Sequence, residues 1–335
     1  MKAARIVEPF KTEVVTLDQP SIGPDDVLIQ VKAAGICGTD IHILKGEYAF
    51  ARFPMVPGHE FSGEVVAVGD NVTRFKPGDR VTADPNIPCN RCESCQRNEP
   101  NQCENLAAIG VTRDGAFAEY VSAPESVTFP IGAMSYSDAA LIEPLACVAW
   151  GLQRVQIQPG NRVLIFGAGP MGALLAQAVA AAGASQVDIT DVVPWRLSMM
   201  EELGVSHAVP ADDLSKNAKA FAPQGYDVVV DATGVPAVIQ KTLDYARPRG
   251  KVWIFGVAPD NATVQFSPYE VFRKDLSIIG SFAVNRTFHE SIMLIRSGKI
   301  NLQPLVSHQL PIEDFEEGLR LAQEDPHRMK IQFEL

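Results

Sequence analysis

The sequence predicts an α/β chain in two domains, one β-rich and one built on a doubly wound parallel sheet. Three observations carry this. A length of 335 residues suits two domains. The texture changes after Gly151, from short β-branched runs broken by Gly, Pro and Asp to an alternation of apolar strands and helical patterns. A glycine-rich turn, GAGPMG (Gly167 to Gly172), stands between a strand and a helix of the second half.

The elements follow in order. DVLIQVKAAGI (Asp26 to Ile36) and SGEVVAVGDNV (Ser62 to Val72) are β-branched runs bounded by turn residues. FKPGDRVTA (Phe75 to Ala83) sets a Pro-Gly turn before a short strand, and DGAFAEYVSAP (Asp114 to Pro124) reads as another. Together they indicate a compact antiparallel fold with many turns. Beyond Gly151, NRVLIFGAG is a buried strand followed by an Ala- and Leu-rich helix from Met171. SQVDITDV is a second strand, and PWRLSMMEELG a helix closed by Gly204. YDVVVDATG, the helix IQKTLDYARPRG, then KVWIFGVAP and LSIIGSFAV continue the pattern. Continuous apolar strands alternating with helices imply a parallel sheet covered on both faces. From Thr287, two amphipathic helices (TFHESIMLIRSGKI and PIEDFEEGLRLAQ) precede a final strand, MKIQFEL.

Composition narrows the function. Hydrophobic content of 46% and charged content of 21% are those of an ordinary globular chain. A net charge of −11 with no basic block argues against nucleic acid as partner. Met1 to Phe10 lacks the apolar core of a signal peptide, so a cytoplasmic location is expected. Val163 to Ala182 is uncharged over 20 residues, enough to span a bilayer. Three glycines and a proline interrupt it, so it reads as a buried strand plus a core-facing helix, with no membrane partner.

GAGPMG fits G-x-G-x-x-G, directly after a strand, with Asp191 ending the next strand 19 residues beyond Gly172. In a Rossmann site Gly167 permits the tight turn, Gly169 lets a pyrophosphate approach the backbone, and Gly172 lets the helix pack closely. The helix N-terminus offers free N–H groups to phosphate. Pro170 and Met171 complete the motif. A carboxylate at Asp191 hydrogen-bonds a ribose 2′-OH and repels a 2′-phosphate, which favours NAD over NADP. Arg196, five residues on, either stacks on the adenine or faces solvent.

Four of the six cysteines, Cys89, Cys92, Cys95 and Cys103, follow C-x2-C-x2-C-x7-C. Four thiolates fit a closed tetrahedral zinc site with no position left for substrate. The polar loop between them buries no core of its own, so the metal would supply its folding energy. A second set is dispersed. GICGTDIH holds Cys37, Thr39, Asp40 and His42, VPGHEFSGEV holds His59 and Glu60, and LIEPLACVAW holds Glu143 and Cys147. Cys37, His59 and a carboxylate would be three zinc ligands with one open position, the pattern of a catalytic site. Singly, Cys37 also reads as a small buried residue, His59 as a core histidine, Thr39 as a turn hydroxyl and His42 as a surface histidine. Cys147 reads as core packing.

In this order, GICGTDIH, PGHEFSGEV, the cysteine cluster, EPLA and GAGPMG resemble the zinc-dependent medium-chain dehydrogenases. The resemblance covers essentially the whole chain and is nearest to the polyol (sorbitol and arabitol type) branch. It implies a GroES-like catalytic domain of residues 1–150 and 283–335, with a structural zinc lobe at about 86–106. A Rossmann domain of 151–282 would interrupt it, with the active site in the cleft between them, in a homodimer or homotetramer. It also implies NAD and two zincs per chain. The catalytic zinc would be held by Cys37, His59 and Glu60, with Glu143 either a ligand or the partner of a bound water. Thr39 would accept the substrate proton, His42 would pass it on, and the nicotinamide would take the hydride. The expected reaction is NAD-dependent oxidation of a secondary alcohol of a sugar alcohol to a ketose. Sugar-acid, 2,3-butanediol and L-threonine dehydrogenases are alternatives within the family. A zinc-ribbon interaction module with a regulatory NAD domain is the remote one. Two departures bear on the substrate. Ile43 stands where many sorbitol enzymes have an aromatic residue, and Ala283 where the animal enzymes have arginine, with Arg286 three positions on.

Overall fold

The computed structural model describes residues 1–48 and 51–335. The chain divides into two compact units. The first comprises Met1–Ala146, Val284–Ile292 and Leu302–Leu335, and the second Cys147–Ala283 and Met293–Asn301. The second unit thus starts four residues before the sequence reading put it and takes back a segment, Met293–Asn301, assigned there to the other domain.

The first unit opens with a hairpin, β1 (Lys2–Glu8) and β2 (Lys11–Thr16), which turns at Phe10 with φ 63°. Its main sheet is organised around β3 (Asp26–Gly35). On β3 pair, all antiparallel, β4 (Glu60–Val68), β8 (Tyr120–Pro124) and β17 (Lys330–Glu334). Beyond β4 come β5 (Arg80–Ala83) and β9 (Thr128–Pro130), and beyond β17 lies β16 (Val306–Pro311). A small pair, β6 (Asn86–Ile87) and β7 (Ala107–Ala108), brackets the cysteine lobe. Strand alternation sends Ile29 and Val31 of β3 and Phe61 and Val65 of β4 into one core. Phe117, Phe315 and Phe333 close it, with ring centroids 5.2 to 5.6 Å apart. All three rings are buried, and such pairs add about 0.5–1.5 kcal/mol each beyond burial. The helix Phe315–Glu324 lies against this core, with Gly318 directly over Phe333. The C-terminal end of β3 leads straight to Cys37, and β4 begins at Glu60, so the sheet delivers the candidate metal residues to one place.

The second unit is a six-stranded, all-parallel sheet in the order β12-β11-β10-β13-β14-β15. These are β10 (Arg162–Phe166), β11 (Gln186–Asp191), β12 (His207–Pro210), β13 (Tyr226–Asp231), β14 (Ala246–Ile254) and β15 (Ser277–Gly280). Strand order reverses direction between β10 and β13, the switch point where doubly wound sheets bind ligands. The uncharged run Val163 to Ala182 resolves into β10 and the helix Pro170–Ala181. No helix among the described residues is long and apolar enough to cross a membrane. One expectation is corrected. IQKTLDYARPRG is helical only to Tyr245, and Ala246 to Gly250 already belong to β14. Pro248 has no N–H to continue a helix, and Arg249 takes φ 62°, so the chain turns into the strand.

Candidate active site and metal centres

The end of β3 and the start of β4 create the first centre. Cys37 caps the helix Gly38–Leu44, and its N–H donates to Asp40 Oδ2 at 2.8 Å. Ligand atoms of Cys37, His59 and Glu60 all lie within 4.8 Å of one another. His59 and Glu60 are buried. Lys330 of β17 donates to Glu60 Oε1 at 2.7 Å and to the Ile36 carbonyl at 3.1 Å. Three buried polar atoms here make no hydrogen bond: Asp40 Oδ1 and His59 Nδ1, which face each other at 3.8 Å, and Glu60 Oε2. Native interiors rarely leave a carboxylate oxygen such as Glu60 Oε2 without a partner, which fits a cation site. The charges agree. Burial alone would push the His59 imidazole down, but Cys37, Asp40 and Glu143 overcome it and hold it well above its ordinary value. The group therefore attracts a cation, and a thiolate, an imidazole and a carboxylate suit zinc.

Glu143 opens the helix Ile142–Val155 and is buried, but it lies outside the three-residue set. Among the described residues the grouped carboxylate is Glu60, and both expected roles of Glu143, ligand or partner of a bound water, stay open. The helix start sets its carboxylate at a distance from which it acts on His59 and Lys330 by charge. Thr39 and His42 lie one turn apart on the helix Gly38–Leu44. Thr39 Oγ1 is 3.8 Å from Cys37 Sγ, and His42 Nδ1 is 2.8 Å from Glu47 Oε2, which leaves its Nε2 available.

The second centre is the cysteine lobe. Cys89, Cys92, Cys95 and Cys103 present four sulfurs within 4.8 Å of one another, and none forms a disulfide. A tetrahedron with Zn–S bonds of about 2.3 Å has sulfur–sulfur edges of roughly 3.8 Å. Cys92 Sγ and Cys103 Sγ are 3.8 Å apart. Backbone N–H groups of Cys89, Cys92 and Asn105 donate to the sulfurs at 3.3 to 3.4 Å. Such bonds lower the Cys89 thiol to about 6, whereas burial and its sister thiols push Cys95 up to about 12. The set fits a closed zinc site.

The dinucleotide loop lies at the end of β10. Gly167 takes φ 100°, a conformation that glycine adopts without strain. A Cβ on Gly172 would come within 1.8 Å of the Gly167 carbonyl oxygen. Gly172 thus packs the helix on the loop itself. Among the described residues beyond its chain neighbours, only Arg196 Nη1 approaches a Cβ position on Gly169, at 3.9 Å, so the backbone there is open. Asp191 is already engaged: Ala168 N–H donates to its Oδ2 at 2.6 Å and Val193 N–H to its Oδ1 at 2.8 Å. Arg196 also lies over the Trp195 ring, 5.5 Å from its centroid.

Sequence reasoning missed three residues, Asp231, Lys330 and Asp84. Asp231, fully buried at the end of β13, accepts from Thr233 and Gly234 and shapes the loop across the switch point from Gly167. Lys330 serves the metal set through Glu60, as Asp40, already named in GICGTDIH, does through the Cys37 N–H. Asp84 is buried, accepts from Asn86 N–H at 2.9 Å, and is pushed up to about 7 by burial. It lines a cavity of about 400 Å³ with Asn86, Asn101, Phe129, Val284 and Arg286. The strand-ending DATG was the one available signal for Asp231. Nothing local in MKIQFEL marks Lys330.

The Alcohol dehydrogenase GroES-like domain family matches residues 23–133, and the Zinc-binding dehydrogenase family matches residues 170–297. The chain is 38% identical to a D-altritol 5-dehydrogenase of Agrobacterium fabrum, with 99% of both chains covered. It is 36% identical to D-arabinitol dehydrogenase 1 of Uromyces fabae, over 95% of this chain and 93% of that one. The chain belongs to the zinc-dependent medium-chain dehydrogenase family. The altritol and arabinitol relatives place it in the polyol branch of that family. Among solved structures, a zinc-binding dehydrogenase of Sinorhizobium meliloti bound to NADP superposes with a TM-score of 0.94. It is 33% identical, with 100% of this chain and 99% of that one covered. This medium-chain dehydrogenase carries the fold of its family, and the two centres described above fit a catalytic and a structural zinc.

Proposed function

We propose that the protein oxidises a secondary hydroxyl of a sugar alcohol to the ketose, with NAD as hydride acceptor. The observation that carries this is the three-residue set of Cys37, His59 and Glu60, one ligand short of a closed zinc site. Zinc bound there supplies a Lewis acid that acidifies a substrate hydroxyl, and the nicotinamide supplies the two-electron acceptor. The Thr39 hydroxyl, 3.8 Å from the thiol of this set, takes the substrate hydroxyl proton. His42, with Nδ1 held by Glu47, receives it at Nε2 and releases it to water. Burial of His59 and Glu60 keeps water from screening the set.

NAD is favoured by Asp191, whose carboxylate repels a 2′-phosphate even though the Sinorhizobium relative holds NADP. The altritol and arabinitol relatives support the polyol class. A homodimer is proposed through β15, which ends its sheet, carries the exposed Ile278 and is followed by the exposed Phe282. A cytoplasmic, reducing location would keep the six thiols free for metal.

The test supplies NAD or NADP with polyols, aldonates, 2,3-butanediol and threonine, and follows absorbance of the reduced nicotinamide. Turnover of a pentitol or hexitol with NAD is expected. Turnover confined to threonine or butanediol would overturn the polyol reading, and preference for NADP would overturn the Asp191 argument. Light scattering of the purified protein checks the dimer.

A further inference from the structure

Gly35 lies inside β3, where glycine weakens a strand and has no side chain to pack. Its backbone is not in the left-handed region, so conformation does not require glycine here. Space does. A Cβ on Gly35 would lie 2.6 Å from Glu60 Oε2, whereas the next neighbours, Glu60 Cβ and Lys330 Cδ, stand at an ordinary 3.5 Å. A single carboxylate oxygen thus stands where a side chain would go, and it must shift if one is added. That oxygen is buried and has no hydrogen-bond partner, and its sister Oε1 is held by Lys330. Gly35 pairs with Glu60 across the β3–β4 ladder, while β17 pairs with β3 on the other side, so the backbones are held in register and an added methyl group displaces the Glu60 carboxylate.

We propose that Gly35 is a positioning residue for the open zinc site. The space left by its missing side chain keeps a Glu60 oxygen within reach of Cys37 and His59. With a methyl group at position 35, the carboxylate must rotate, and the ligand set loses its third member or its geometry. The proposal rests on the reading of Glu60 as a zinc ligand, and the experiment separates the two.

The variants are Gly35→Ala, Glu60→Ala and the double variant. Zinc per chain is measured after equilibration with graded chelator. Cobalt is exchanged into the open site to read its visible spectrum, and melting temperature is recorded. Gly35→Ala is expected to retain the four-cysteine zinc and to bind the other about 10–100-fold more weakly. Its cobalt spectrum should be altered, and it should melt lower than the parent. In the Glu60→Ala background the same substitution should leave the melting temperature unchanged, because the clashing atoms are gone. A merely structural glycine would cost the same in both backgrounds, and that result overturns the proposal. Two zincs bound as tightly in Gly35→Ala as in the parent overturn it as well. Two tightly held zincs in Glu60→Ala sink the ligand reading itself. If Gly35→Ala does not fold, folding of the double variant supports the clash with Glu60, and failure of both overturns it.

Discussion

Replacing Lys330 by Met should destabilise the protein by about 3–5 kcal/mol, the usual cost of breaking a buried ion pair from one side. The magnitude follows from the geometry. Lys330 Nζ is 2.7 Å from Glu60 Oε1, and the two side chains are only 6% and 1% exposed. At an effective dielectric constant of about 20, charges at that separation attract by roughly 6 kcal/mol. Relief of the desolvated ammonium offsets part of this, and Met refills the volume of the stem, so little packing is lost. Burial alone would push the Lys330 ammonium down, but Glu60, Cys37 and Glu143 overcome it and hold it above its ordinary value. Its contribution is therefore present in full below the unfolded lysine value of about 10.4 and is lost only as pH rises beyond it. Urea unfolding at about pH 7.5, on parent, Lys330→Met, Glu60→Gln and the double variant, gives the coupling energy. The double variant should regain much of the loss, since neither charge is then left alone. A urea midpoint for Lys330→Met equal to that of the parent would refute the reasoning.

Three further outcomes are expected. Asp84 has a raised folded value of about 7, so the folded state holds its proton longer than the unfolded chain does. Asp84 therefore costs stability progressively as pH climbs from about 4 to about 7, and Asp84→Asn should gain on the parent over that window, read as melting temperature against pH. A gap that does not widen with pH would exclude this cause. Gly172→Ala places a Cβ within 1.8 Å of the Gly167 carbonyl oxygen and should weaken NADH binding at least tenfold by fluorescence titration. Unaltered binding would mean that the loop does not form the site. Cys92→Ser should reduce zinc from two to one per chain and expose residues 86–106 to protease, because the lobe has little core of its own. Retention of both metals would show that the four thiolates do not act together.

Much of this was legible in the sequence because the signals are local. GAGPMG must follow a strand and open a helix, so its neighbours reveal it, and regular cysteine spacing reveals the lobe. The strands of the parallel sheet read clearly because they are apolar on both faces. The hairpin β1–β2 and strand β16 did not, since their half-exposed residues alternate with Lys, Glu, Ser and His in short runs. Glu60 against Glu143 is a question of distance, and distance is not written in spacing when one residue starts a strand and the other a helix. Lys330 and Gly35 were illegible for the same reason. Each acquires its role only when β17 and β4 come to lie on either side of β3.

The bond between Lys330 and Glu60 joins residues 270 positions apart, and that from Lys330 to the Ile36 carbonyl joins residues 294 apart. During synthesis, Cys37, His59 and Glu60 leave the ribosome long before their counter-charge does. Until β17 is made and docked, Glu60 lacks the Lys330 ammonium, and Ala33 to Gly35 of β3 lack their partner on the edge that β8 already pairs further along. The nascent site is thus incomplete for most of translation, whereas the four cysteines, 14 positions apart from first to last, can close on zinc as soon as they emerge. The two metals of one chain would then be acquired at different stages of its making, with the open site among the last parts of the molecule to be completed.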